Sequence, residues 1–243
     1  MIKGAWWVDS PAAVATLEEA GFRLHIIPYI NDRQVDVTLA AMSLSSYAIV
    51  LLQGDPAEKE RQVTRLAGRN FFGYITHDEP NVSGTLLTTS VQREYYQAVK
   101  RIDPWKQVIA SYHLEPDGLS YPEFVVTSPY RAWDYAALNY YPATWGRSDK
   151  RATANLRRAV VTAGRVFPTH ALILSIQQAA GCTWANDQGR LRPIPGLLQA
   201  QQDIWAASGV QTVPAIIYYG WGTNPEDSNL QDLAVLAEAA SVT

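Results

Sequence analysis

Phe71-Phe72-Gly73-Tyr74-Ile75-Thr76-His77-Asp78-Glu79-Pro80 is the stretch on which the fold turns. Its body, Phe71–His77, is mostly apolar, aromatic or β-branched, too short for a helix and without the in-out alternation of a strand with one wet face. Such a run reads as a strand buried on both faces, the habit of parallel sheets covered by helices. It stops in two adjacent carboxylates, and Pro80 ends any further ladder pairing. Seven other runs share this character: Lys3–Val8, Arg23–Ile30, Ala48–Gln53, Gln107–Tyr112, Tyr135–Tyr140, Ala171–Gln177 and Val213–Tyr219.

Helical spacing fills the intervals. Ser10 and Pro11 open one helix as N-cap and first helical residue, and Gly21 suits its C-terminal end. Asp55 and Glu58 stand at capping-box spacing before a second. Val91, Tyr95, Ala98, Val99 and Ile102 recur as a stripe, as do Leu156, Ala159, Val160, Ala163 and Phe167. Leu197, Leu198, Ile204 and Trp205 form a third, and Leu230, Leu233, Ala234 and Ala237 a last.

Eight strand–helix units in 243 residues average about 30 residues each, near the least that a right-handed βα repeat needs. The fold class expected is α/β, a single (β/α)8 TIM barrel occupying residues 1–243 as one domain. A doubly wound open sheet would place a phosphate-binding glycine loop after its first strand; here that position reads Val8-Asp9-Ser10-Pro11. Neither GxGxxG nor a Walker A pattern occurs.

Composition bounds the partners. With 47% hydrophobic and 18% charged residues and a formal net charge of −3, the chain is an ordinary globular protein, with no basic footprint for nucleic acid or an anionic membrane surface. No apolar run is long enough for a membrane span, and the N-terminus lacks signal-peptide layout. A soluble protein is expected, its compartment open and the cytoplasm the default. Cys182, the single cysteine, permits no internal disulfide or CxxC motif and lies beside no activating base in sequence. No cofactor is expected. Oligomeric state is not legible.

In a parallel barrel the chemistry stands at the C-terminal strand ends. There the sequence places Asp9, then Asn31 and Asp32, Asp55, His77-Asp78-Glu79, His113 and Glu115, Asn139-Tyr140-Tyr141-Pro142, Gln177-Gln178, and Tyr219-Gly220-Trp221. Asp55 reads first as a helix cap, and Glu115, before Pro116-Asp117-Gly118, reads equally as a turn residue. His25 and His170 fall near strand starts, where structural roles are expected.

Asp78-Glu79-Pro80 at the end of strand four resembles the Asn-Glu-Pro of the large clan of retaining (β/α)8 glycoside hydrolases, whose Glu is the general acid/base. Asn139-Tyr140-Tyr141-Pro142 is similar to a strand-six ending of that clan, and Trp221 to its strand-eight tryptophan. The resemblance implies that Glu79 donates the proton and that Asp78 takes the place of the Asn that contacts a sugar hydroxyl. It departs from the clan at strand seven, where Ser175-Ile176-Gln177-Gln178 offers no nucleophilic carboxylate. Glu115 on the neighbouring strand is the first candidate for a second carboxylate, with Asp9 and Asp32 as further options across the mouth, while Asp78 could instead raise the pKa of Glu79 by like-charge proximity and orient water or a substrate hydroxyl.

Eight Trp and thirteen Tyr against five Phe suit a carbohydrate substrate, because sugar C–H faces stack on rings while hydroxyls need polar neighbours. Trp7, Asp9, Tyr29, His77, His113, Asn139, Tyr141, Gln177 and Trp221 are the expected substrate contacts. Two other functions fit the same residues. One is a divalent-metal sugar isomerase or hydrolase using His77, Asp78 or Glu79 with His113 or Glu115. The other is a barrel that binds carbohydrate without cleaving it.

Overall fold

The structure, a computed structural model, describes residues 2–78, 88–113, 132–140, 154, 156–161, 172–178, 197–207, 212–219, 231 and 233–241. Its strands are β1 (Ile2–Trp6), β2 (Leu24–Pro28), β3 (Tyr47–Leu51), β4 (Gly73–Asp78), β5 (Gln107–His113), β6 (Tyr135–Tyr140), β7 (Leu172–Gln178) and β8 (Thr212–Tyr219). Each pairs in parallel with the next, and β1 pairs with β8, so the sheet closes into an eight-stranded barrel. The described helices are α1 (Pro11–Glu19), α2 (Asp32–Ala40), α3 (Pro56–Leu66), α4 (Thr89–Ile102), α5 (Leu197–Ala207) and α6 (Leu233–Ser241), with a further helical stretch at 156–161. The connection from β5 to β6 lies largely outside the described residues.

Two apolar layers explain why the strands read as continuous apolar runs. Trp6, Leu24, Ile26, Ile49, Leu51, Ile75, Ile109, Ala137, Ala215 and Ile217 fill the barrel interior. The alternate residues of the same strands, such as Ile27, Ala48, Val50, Tyr74 and Val108, pack outward against Val35, Val63, Leu66 and Val99 of the helices. Both faces of every such strand are therefore dry.

The punctuation sits where the sequence places it. Ser10 Oγ accepts from Ala13 N, and Asp55 Oδ1 accepts from Glu58 N at 2.9 Å. Only that half of the capping box forms, because the Glu58 carboxylate turns to Arg61, 2.8 Å away. After α1, Gly21 takes φ +88°, Phe22 N donates to Leu17 O and Gly21 N to Glu18 O. This is the full Schellman arrangement, closed by the Phe22–Leu17 apolar contact. On α6, Leu236 and Ala239 are buried, whereas Ala237, one of the expected stripe, is exposed. On α4 the deepest residues are Gln92 and Val99, with Gln92 Oε1 accepting from Tyr112 Oη at 2.7 Å. Val91, Tyr95, Ala98 and Ile102 instead line a cavity of about 360 Å³ against α3.

Candidate active site at the strand ends

The geometry of the barrel mouth is set by an offset in β4. Ile75 stands in register with Ile109, both in the interior, but the next ladder pair is His77 with Ala110. Thr76 is thus an extra residue, a β-bulge. Strict alternation from Ile75 would turn His77 inward and Asp78 toward the helices; one inserted residue reverses both.

His77 accordingly lies in the helix-side layer, 5% exposed, edge-to-face on Tyr95 of α4 with ring centroids 4.4 Å apart. Its Nδ1 is 3.1 Å from Thr76 Oγ1. Burial, and secondarily the charge of Lys59, lower its pKa to about 3, so the ring is neutral across the physiological range. The expectation that His77 contacts substrate from the mouth does not match this placement.

Asp78 pairs in register with Ser111 and is exposed at the strand end. Ser111 follows Ile109 by two residues and is therefore on the interior side, and His113 follows by two more, in register with Asn139. Four positions on three adjacent strands thus converge at one sector of the mouth: Asp78, Ser111, His113 and Asn139. Ser111 carried no signal in the sequence; only the register of β5 against β4 shows it.

A second offset lies across the mouth. Trp7 adopts φ +67°, a left-handed conformation rare for a bulky side chain. Trp6 is in the interior cluster, Trp7 packs against that same cluster, and Val8 belongs to the helix-side cluster around α1. Val8 N donates to Ile26 O at 2.8 Å, tying the chain beyond the kink to β2. The kink also ends β1 at Trp6 although the apolar run continues. Asp9 follows, partly exposed beside the cap Ser10, its carbonyl accepting from Gln34 Nε2 at 3.0 Å.

Other expected residues stand elsewhere. Tyr29 is buried in the helix-side layer and donates from Oη to Asp32 Oδ1 at 2.5 Å. Asp32 in turn meets Arg61 and Arg65 of α3, at 3.2 and 3.0 Å, on the protein's outer surface. Parity along β2 explains the outcome, since Tyr29 shares the outward face of Ile27. Asn31 caps α2, accepting from Gln34 N at 2.9 Å. The backbone of Gln177 is in register with Tyr218, a member of the helix-side cluster, and that of Gln178 with Tyr219. His25 is buried in the barrel wall, Nε2 3.6 Å from Glu18 Oε1, as a structural histidine. Glu79, Glu115, Tyr141, Trp221, His170 and Cys182 lie outside the described residues.

Among the described residues, no group of three or more His, Cys, Asp or Glu side chains could hold a metal ion, and no helix is long and apolar enough to cross a membrane. Because the bulge puts His77 and Asp78 on opposite sides of the strand, those two cannot ligate one ion together.

A closed parallel barrel with polar residues gathered at its C-terminal mouth defines an α/β fold of TIM-barrel type, and solved structures that share this fold include glycosidases. It is similar to the β-galactosidase of the haloarchaeon Halorubrum lacusprofundi, with TM-score 0.74 and 13% identity over 99% of this chain and 57% of that one. The β-galactosidase of Marinomonas ef1 matches with TM-score 0.70 and 9% identity, over 99% of this chain and 58% of that one. The GH10 xylanase of Thermobacillus composti matches with TM-score 0.61 and 12% identity, covering 90% and 83% of the two chains. The chain thus spans little more than half the length of the two galactosidases. No protein-family model and no curated protein matches it.

Proposed function

We propose that this chain is a glycoside hydrolase acting on a glycan or oligosaccharide, a single (β/α)8 barrel domain over residues 1–243, with Glu79 as general acid/base. The observation that carries the proposal is the β4 bulge, which sets Asp78, the last residue of that strand and the one before Glu79 in sequence, on the interior side of the mouth beside Ser111 and His113. A glycosidase-like fold shared with named galactosidases and a xylanase supports it. In this proposal Asp78 contacts a sugar hydroxyl and holds the pKa of Glu79 up by like-charge proximity. Glu115, just past the end of β5, is the proposed second carboxylate. About 5 Å between the two would give retention, and roughly 6.5–9.5 Å inversion through a bound water. Trp7, Asp9, His113, Asn139, Tyr141 and Trp221 complete the proposed sugar site. No cofactor enters the proposal.

A second reading, a barrel that binds glycan without turnover, draws on one feature: β7 ends in Gln177 and Gln178, and an amide is no glycosyl nucleophile. A product assay on a panel of oligosaccharides and polysaccharides separates the two. Wild-type cleavage that falls by at least about 100-fold in Glu79→Gln supports the hydrolase. Undiminished cleavage by that variant refutes the assigned acid/base, and binding without products favours the second reading.

A further inference from the structure

The β4 bulge needs a support, and the structure shows one on the far side of the strand. Lys59 rises from the first half of α3 and lies half-buried against β4. Its Nζ donates to the backbone carbonyl of Thr76, the inserted residue, at 2.8 Å. The same ammonium sits 5.1 Å from the centre of the Tyr95 ring, and that ring carries His77 edge-to-face on its surface. Among the described residues Lys59 makes no ion pair. The neighbouring Glu60 is engaged by Arg101 at 2.9 Å instead. A desolvated lysine with no carboxylate partner among the described residues is costly to keep, and here its hydrogen bond goes to the carbonyl of the bulge.

We propose that Lys59 is a positioning residue for the end of β4: its ammonium, with Tyr95 behind it, holds the Thr76 bulge that turns Asp78 to the barrel interior. The inference rests on the reading of that strand end as the reactive centre. Thr76 is almost wholly buried, so without the ammonium its carbonyl has no solvent to turn to. The strand can recover regular pairing only by slipping one residue, which would exchange the faces of His77 and Asp78. Lys59 touches no reacting atom in this scheme; it acts through the backbone.

The test compares wild type with Lys59→Met, which keeps the apolar stem, and Lys59→Arg, which keeps a donor. Backbone amide exchange of the 73–78 segment, followed by mass spectrometry, reads the bulge without needing any activity. Lys59→Met should exchange faster there while other strands are unchanged, and Lys59→Arg should restore most of the protection. The His77 imidazole, followed by NMR, should titrate higher in Lys59→Met, because a neighbouring positive charge has been removed. In hydrolysis, kcat should fall about 10–100-fold with KM changed less than about threefold. Unchanged exchange of the 73–78 segment overturns the proposal, as does altered exchange with kcat intact. Failure of the functional reading shows differently, as full activity in Glu79→Gln, and leaves the exchange result to judge Lys59 by itself. Should Lys59→Met not fold, Lys59→Gln carries the same measurements.

Discussion

Acidification from pH 7 to pH 5 should destabilise this protein through two histidines held neutral inside it. Burial lowers the pKa of His25 to about 4, against a smaller opposing pull from Glu18, and that of His77 to about 3. The ordinary value in an unfolded chain is near 6.5. Because each folded pKa is the lower one, the unfolded state takes up protons first as pH falls. Stability is therefore complete above about pH 6.5 and is lost progressively toward pH 4 for His25 and pH 3 for His77. At pH 5 the unfolded imidazole is almost fully protonated and the folded one hardly at all, a difference on the order of 2 kcal/mol for each group. Both together approach about 4 kcal/mol, a large part of the 5–15 kcal/mol typical of a folded protein. The three arginine-paired carboxylates Asp32, Asp36 and Glu58 do not confuse this window. Hydrogen bonds from arginines hold Asp36 and Glu58 below their ordinary values, and Tyr29 and Arg61 do so for Asp32, so these groups stay ionised at pH 5. Urea unfolding followed by tryptophan fluorescence at pH 7, 6 and 5 gives the slope. His25→Gln and His77→Gln should each lose about half of the pH dependence, and together nearly all of it. A double variant that weakens with acid as steeply as wild type would refute the assignment of neutral buried imidazoles.

Two backbone substitutions test the barrel wall. In Gly73→Ala the new Cβ would overlap the Gln107 carbonyl oxygen, a backbone atom that cannot step aside. A loss of about 3 kcal/mol in urea unfolding is expected, and less than about 1 kcal/mol would show that β4 and β5 are not so close. At Trp7, both Ala and Gly remove the indole, so their difference isolates the left-handed backbone. Trp7→Gly should be more stable than Trp7→Ala by about 1 kcal/mol, the reverse of the usual order, and equal stabilities would argue against the φ of +67°.

The strand positions were legible because each strand is dry on both faces, which leaves a short apolar run as its mark. Seven of the expected runs overlap the observed strands with no end shifted by more than two residues, and Tyr135–Tyr140 coincides with β6. Ser10, Asp55 and Gly21 announced their turns because caps and left-handed glycines are chosen by local hydrogen bonding, independent of the rest of the fold. The site was less legible. Tyr29 stood in the expected sugar site because it lies near the end of the expected strand Arg23–Ile30, although counting parity from Ile26 and Ile27 places it outward. Lys59 resembles any mid-helix lysine, and its bond to the Thr76 carbonyl depends on how α3 packs on β4.

The bulge and the kink expose a general reason for this asymmetry. Strand existence depends on many residues, so one irregularity does not disturb it. Side-chain direction within a strand depends on a count of residues modulo two, so one inserted residue inverts the rest of that strand. Thr76 is one insertion, and it exchanges His77 for Asp78 at the mouth. Trp7 achieves a similar exchange by a single left-handed dihedral, leaving two consecutive tryptophans against the interior cluster and Val8 outside. The shift between β7 and β8 behaves differently. From Ile173 to Ser175 the partner moves from Thr212 to Ile216, two residues more than on β7, so parity survives. Gln177 consequently remains level with Tyr218, on the parity of the helix-side layer. Both parity-breaking offsets occur at C-terminal strand ends, where irregular backbone re-aims side chains toward a ligand in parallel barrels.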